Sequence, residues 1–243
     1  MDESGGTILV VEGSEAKEDH LPLETLRRFG LNVQVAHTSK AALTAFWISK
    51  PIVVFLAKML DDGPKGMEVQ AVIRAVRGTY NQSLVALDLK ITPTRPEWRL
   101  NRGELNMPAK LYGLMKSVLI AQGFSRVLVV EDPRAAERIP ERVFAPMGCV
   151  RIGTCHTAGL ALGGAWQHGP AIVIVDEELG AGSTGRDFLR YLAELKNCSP
   201  ITIGLSPRLT GTDLTAARGP DFEAQLGLVL RQARERLEQL TSD

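Results

Sequence analysis

The chain has 243 residues, 44% hydrophobic and 23% charged, and its 28 basic and 28 acidic side chains leave no net charge. That is ordinary globular composition, long enough for one large domain or two small ones, and it lacks the basic excess of a nucleic-acid binder. Three cysteines (Cys149, Cys155, Cys198) without a CxxC pair argue against a disulfide framework or a zinc site, no apolar run approaches the ~20 residues of a membrane span, and MDESGGTILV is not a signal peptide, so a cytoplasmic protein is expected.

In chain order, the first element is ILVV (8–11), whose β-branched apolar run predicts a parallel strand covered on both faces. HLPLETLRRFG (20–30) predicts a helix that begins or kinks near Pro22 and stops at Gly30. LNVQVA (31–36) reads as a second strand, and SKAALTAFWI (39–48) as a helix with apolar residues three and four apart. Pro51 opens a third strand, PIVVFLA. GMEVQAVIRAV (66–76) is the next helix, SLVALDL (83–89) the fourth strand and AKLYGLMKSVLIAQ (109–122) the closing helix. Past AQGFS the order starts again. VLVV (127–130) is a strand, ERIPERVFAPMG (137–148) a helix starting or kinking near Pro140, and CVRIGT (149–154) a strand. AGLALGGAWQ (158–167), PAIVIV (170–175), GRDFLRYLAEL (185–195), PITIGLS (200–206) and EAQLGLVLRQARERLEQL (223–240) continue the alternation.

The second series is a copy of the first. At one offset of 119 residues, TILVVEGSEA aligns with RVLVVEDPRA, and the same offset carries His37 to His156, Trp47 to Trp166, Pro51 to Pro170 and Gly66 to Gly185. Two of the three tryptophans fall in register. Such self-similarity predicts two homologous domains, 1–121 and 124–243. Alternating strands and helices predict parallel sheets covered on both faces, with ligands gathering at the carboxyl ends of the strands.

At those ends the copies differ. In the second, strand one stops at Glu131-Asp132 and strand three at Asp176. Three converging carboxylates are unfavourable without a cation among them, and hard oxygen ligands favour magnesium. Strand four ends in Ser206, whose hydroxyl can bond an oxyanion. A metal, an aspartate nucleophile and a hydroxyl donor are the parts of phosphoryl transfer onto Asp176.

VLVVEDP, PAIVIVDEEL with its following TG, and PITIGLS, in this order, closely resemble the receiver domain of two-component response regulators. The resemblance implies two flavodoxin-like, doubly wound, receiver-type domains in tandem. It implies that Glu131, Asp132, Asp176 and the carbonyl of Glu178 hold Mg2+, that Asp176 accepts phosphate and that Ser206 senses it. It further implies a histidine kinase or histidine phosphotransfer protein as donor. Output would run through contact with another protein, with no DNA, no membrane and no metabolite turned over; a homodimer is allowed. No DNA-binding or catalytic output domain is expected.

Receivers carry a lysine before a proline at the end of strand five, whereas this chain reads AARGPDF. Lys196, the one lysine in 124–243, precedes strand four, which leaves Arg218 as the phosphate-side cation. The interval from Ser206 to Pro220 is too short for a full helix and strand, so the fourth helix is expected to be reduced or absent. In the first copy the corresponding positions are Glu12, Gly13, Ala57, Asp88 and Met107, with Asp61 and Asp62 past the strand end and Lys110 displaced by three. Alanine has no nucleophile, so the first copy is expected to be a pseudo-receiver that serves as an interaction module.

Other features have plainer readings. Trp47 and Trp166 suit core or half-buried helix positions. His37 and His156 suit surface or capping roles, since no second metal-ligating partner recurs. LGAGSTG lacks the lysine of a phosphate loop and reads as a loop beside Asp176. RPEWRLNR, with Arg95, Arg99, Arg102 and Trp98, has the parts of a cyclic di-GMP-type nucleotide site, although a solvated loop explains it better. The alternatives to phosphotransfer are therefore a non-phosphorylated scaffold or nucleotide sensor, and a flavin-type enzyme, which the acidic loop after strand one disfavours.

Overall fold

The structure is a computed structural model that describes residues 6–14, 21–75, 83–87, 98–99, 107–135, 138–195 and 198–240. The chain divides into two compact units, Met1–Gly123 and Phe124–Asp243.

The first unit runs β1 (Thr7–Val11), α1 (Leu23–Arg27), β2 (Asn32–Ala36), α2 (Ser39–Ser49), β3 (Val53–Leu56), α3 (Gly66–Ala75), β4 (Ser83–Ala86), β5 (Trp98–Arg99) and α4 (Pro108–Ala121). The second runs β6 (Ser125–Val130), β7 (Cys149–Cys155), α5 (Ala158–His168), β8 (Ile172–Val175), α6 (Gly185–Ala193), β9 (Ile201–Gly204), β10 (Leu214–Thr215) and α7 (Phe222–Leu240). The sheet orders are β2-β1-β3-β4-β5 and β7-β6-β8-β9-β10, and every paired register is parallel. This is one strand order written twice, the flavodoxin-like order of doubly wound α/β folds. Each unit is thus the α/β domain expected from the alternating sequence pattern.

The central strands are buried throughout, as their unbroken apolar runs require. In the second unit, one face of the sheet packs Val127, Val129, Ile172, Ile174 and Ile203 against Leu226 and Leu230 of α7. The other face packs Leu128, Val130, Val173 and Val175 against Ala161 and Ala165 of α5 and Phe188 of α6. Local signals agree with the packing. Thr38 and Thr157 cap α2 and α5 in matching positions, each accepting from the amide three residues on, Ala41 N at 3.2 Å and Leu160 N at 3.3 Å. No helix among the described residues is long and apolar enough to cross a membrane.

Three expectations need correction. Residues 137–148 do not form an α-helix; their described part folds as two short 3-10 turns, Glu141–Val143 and Ala145–Met147. Pro140 and Pro146 each remove an amide donor that a continuous helix would use. The helix expected over 20–30 is a single turn, Leu23–Arg27, after Pro22. Trp166 is 67% exposed and Trp47 46%, so neither is a core residue; Phe46 and Ala165, one position earlier in each copy, point inward instead.

Between β9 and β10 there is no helix, as the short interval required. The edge strand is pinned by Asp213, whose Oδ2 accepts from the Thr202 amide and hydroxyl at 2.7 Å each, while the Asp213 amide bonds Thr202 back. Asp88, Arg95, Arg102 and Lys196 lie outside the described residues.

Candidate functional site

Parallel pairing carries the backbone past the strand ends and places three chain segments side by side. The Asp176 amide donates to Val130 O at 2.8 Å, Glu131 N to Cys155 O at 3.0 Å, and Leu205 N to Val175 O at 2.9 Å. Glu131-Asp132, Asp176-Glu177-Glu178 and Ser206 therefore meet at one edge. Asp132, Asp176, Glu177, Glu178, Ser206 and Arg218 line a cleft of ≈ 630 Å³.

Arg218 is the centre of this arrangement. Its Nη2 lies 3.0 Å from Asp176 Oδ2 and 3.5 Å from Glu131 Oε2. Glu131 is 1% exposed, and its buried Oε2 has the guanidinium as a charge partner without a hydrogen bond. The guanidinium also lies over the Phe222 ring, 5.3 Å from its centroid, and the Arg218 amide bonds Leu205 O. The segment between β10 and α7 therefore delivers the arginine into the cleft. Arg218, named from the sequence as the cation nearest this site, thus faces the Asp176 carboxylate.

The remaining carboxylates are engaged too. Asp132 accepts from Arg134 Nε and Nη2 at 3.2 Å each and from the Arg134 amide at 2.9 Å. Those bonds hold its carboxyl below the usual carboxylate range, the side-chain bonds contributing most, and they raise Arg134 in turn. Asp176 Oδ1 accepts from the Glu177 amide at 3.0 Å. Ser206 Oγ donates to Glu177 Oε2 at 2.7 Å and accepts from the Arg208 amide at 3.1 Å. Glu178 lines the cleft, and its backbone is bridged to Thr184.

The donors expected for magnesium are of the right kind, hard oxygens. Their arrangement does not fit the ion. Asp176 and Glu131 face one guanidinium and Asp132 another, and no group of three acidic, histidine or cysteine side chains among the described residues is arranged to hold a metal.

Two repeated details fix the backbone here. His37 and His156 each place Nδ1 2.9 Å from the carbonyl oxygen of the acidic residue that ends strand one, Glu12 or Glu131. A carbonyl only accepts, so Nδ1 carries the proton, and each histidine staples its second strand to its first. This is a more definite role than a surface or capping one. Gly66 and Gly185 start the helices that follow strand three. A Cβ on either would stand 2.0 Å from the carbonyl oxygen of Ala57 or Asp176, so only glycine permits the approach.

The first unit repeats the frame with different residues at the strand ends. Glu12 is buried, its Oε2 3.5 Å from the Leu21 amide; Gly13 follows it, and Ala57, at the position equivalent to Asp176, is a buried methyl. Met107 is exposed at the start of α4. Asp61 accepts from Ser14 N and Oγ at 2.6 and 2.9 Å, and Asp62 from Ser39 N and Oγ. These bonds hold both carboxyls below their ordinary range, by the Ser14 amide foremost at Asp61 and the Ser39 hydroxyl at Asp62. Both tie down loops and leave Ala57 without a nucleophilic neighbour on its own strand.

Sequence reasoning missed Glu177 and Arg134. Each had a visible signal: Glu177 follows the acceptor directly in DEEL, and Arg134 follows Asp132 across a proline, the spacing at which a side chain turns back onto an aspartate.

The chain matches no protein-family model and no curated protein sequence. Solved structures do match. A chain designated a two-component system response regulator/GGDEF domain protein is 20% identical with a TM-score of 0.41, covering 96% of this chain and 99% of that one. The REC domain of AraT, a response regulator from Geobacillus stearothermophilus, is 20% identical with a TM-score of 0.39, covering 49% of this chain and 98% of that domain. The response regulator PhyR from Brucella abortus is 20% identical with a TM-score of 0.37, over 59% of this chain and 60% of its own. The fold assignment stands on the strand order itself.

Proposed function

We propose that the chain is a two-component-type signalling protein made of two receiver-type units, in which Asp176 is the phosphoacceptor and the first unit is a non-phosphorylated interaction module. The observation that carries this reading is the Arg218 guanidinium 3.0 Å from Asp176 Oδ2, beside the Ser206 hydroxyl in the same cleft. Each carboxylate oxygen of Asp176 spends one lone pair on a hydrogen bond and keeps another for attack. The donor is the phosphohistidine of a histidine kinase or histidine phosphotransfer protein. An Asp176 oxygen attacks phosphorus, the O–P bond forms, and the N–P bond breaks. The imidazole keeps the electron pair of that bond and takes up a proton. Arg218 meets the negative charge of the phosphoryl oxygens, and the Ser206 hydroxyl turns from Glu177 to donate to one of them. No metal enters this step.

The first unit, with alanine in the acceptor position, contributes a surface. Output is contact with a further protein, without DNA, and a homodimer is compatible with it. A wholly non-phosphorylated scaffold is the second reading. It is favoured by Arg218 and Arg134, which already neutralise the carboxylates that a phosphorylation cycle would use.

Beryllofluoride, an acyl-phosphate mimic, separates the two. Added to the full chain and followed by 19F and amide NMR, it should give one bound species that shifts the amides of Glu177 and Ser206 and leaves the Ala57 region unmoved. No bound species, or one that persists in Asp176→Asn, would remove the acceptor role and leave the scaffold.

A further inference from the structure

We infer that Arg218 is a tethered substitute for a divalent cation, and that the cleft rejects magnesium because its cation is supplied by the chain. The inference deepens the site reading above but does not depend on phosphorylation taking place.

The carboxylates expected to share one metal ion come from two strand ends, Glu131 after β6 and Asp176 after β8. One Nη2 atom reaches both, at 3.5 and 3.0 Å. A planar guanidinium can serve two carboxylates in this way, whereas an ammonium on a flexible stem is a point charge that retracts when a metal arrives. Arg218 is poorly able to retract. Its guanidinium faces Phe222, and its amide continues the strand contact to Leu205. Its side chain is 23% exposed, so water screens it only in part.

The third expected ligand is also committed. Asp132 is turned onto Arg134 through two side-chain contacts and one amide. A magnesium ion here would have to displace both arginines and then sit beside the displaced positive charge. The ion demands several oxygens in near-octahedral order and sheds its water reluctantly. The held Arg218 guanidinium takes up the oxygens of Glu131 and Asp176, the exposed Arg134 guanidinium competes for Asp132, and both add repulsion. The site therefore presents a cation to an incoming oxyanion without recruiting one from solution.

Mn2+ is the probe, because a paramagnetic ion broadens the amide signals next to its site. The full chain is titrated without any phosphate donor as wild type, Arg218→Lys and Arg218→Met, with Arg218→Lys/Asp176→Asn as the site control. The wild type should show no saturable broadening at Asp132 or Glu177. Both single variants should gain it, with Mn2+ bound at least about tenfold more tightly than by the wild type, and the control should lose it again. The lysine variant keeps the charge and guards against a misfolded methionine variant. Saturable wild-type broadening at the concentration that saturates Arg218→Lys would overturn the inference. So would folded variants that stay as inert as the wild type. Neither result bears on whether Asp176 accepts phosphate, which the beryllofluoride experiment reads separately.

Discussion

Replacing Arg218 with methionine keeps much of the side-chain stem and removes the guanidinium. Glu131, 1% exposed, is then left with a buried carboxylate 3.5 Å from where its counter-charge stood. Breaking a fully buried ion pair from one side costs about 3–5 kcal/mol. Here the arginine is 23% exposed and the Glu131 contact is longer than a hydrogen bond, so we expect about 2–3 kcal/mol. Glu131→Gln alone should cost less, because it removes a charge and keeps the shape. In the Arg218→Met background the same change should relieve the orphaned charge, giving a coupling of about 1–2 kcal/mol. The assay is urea unfolding of the full chain, followed through the amide signals of β6 and β8 so that only the second unit is read. With a slope of about 1–3 kcal/mol per molar urea, the midpoint should move by about 1 M in Arg218→Met and partly return in the double variant. Effects that add to within about 0.5 kcal/mol would show that the two side chains are not paired and refute the reasoning.

Three other outcomes are expected. Gly185→Ala forces a Cβ to within 2.0 Å of Asp176 O; it should destabilise the second unit by about 1–3 kcal/mol or more and displace Asp176, and Gly66→Ala should do the same to the first unit's stability while leaving the cleft intact. Burial pushes the Cys149 thiol up to about 12, so a thiol reagent at neutral pH should label Cys155 and Cys198 first and reach Cys149 only in urea; early Cys149 labelling would contradict its burial. The Asp132 carboxyl is depressed in the folded state, chiefly by Arg134. Its contribution to stability is therefore present above the ordinary aspartate value of about 3.9 and lost as pH falls through the lower folded value. Carbon NMR should find it titrating below its value in Arg134→Ala, and equal values would dismiss the clamp.

Much of this was legible before any coordinates. The offset that joins His37 to His156 and Gly66 to Gly185 marks equivalent positions of one frame. The structure gives each pair a shared reason: a histidine bonded to the first strand's last carbonyl, and a glycine pressed against the third strand's end. The buried strands were readable because a parallel strand covered on both faces has no polar side to interrupt its run. The segment at 137–148 misled because it ends at a glycine as a helix does, while Pro140 and Pro146 remove amide donors that a continuous helix needs. The tryptophans misled because aromatic residues are expected inside, and periodicity does not tell Phe46 from Trp47 when both flank the same face. The carboxylates of the site and the nearby Arg218 were found; that Arg218 pairs directly with Glu131 and Asp176, and Arg134 with Asp132, was not. A cluster of acids signals a missing positive charge, and sequence alone does not say whether that charge is an ion or the chain's own arginine.

The proposed function requires an addressable acceptor in the second unit and none in the first. Its most direct measurement is phosphotransfer to the full chain from a small acyl-phosphate donor or a phosphorylated histidine protein, with borohydride trapping of the acyl phosphate and peptide mapping. The account predicts a single label at Asp176, absent from Asp176→Asn, with none in residues 1–123. A label on the first unit, or no label under conditions where a control receiver is modified, would contradict it.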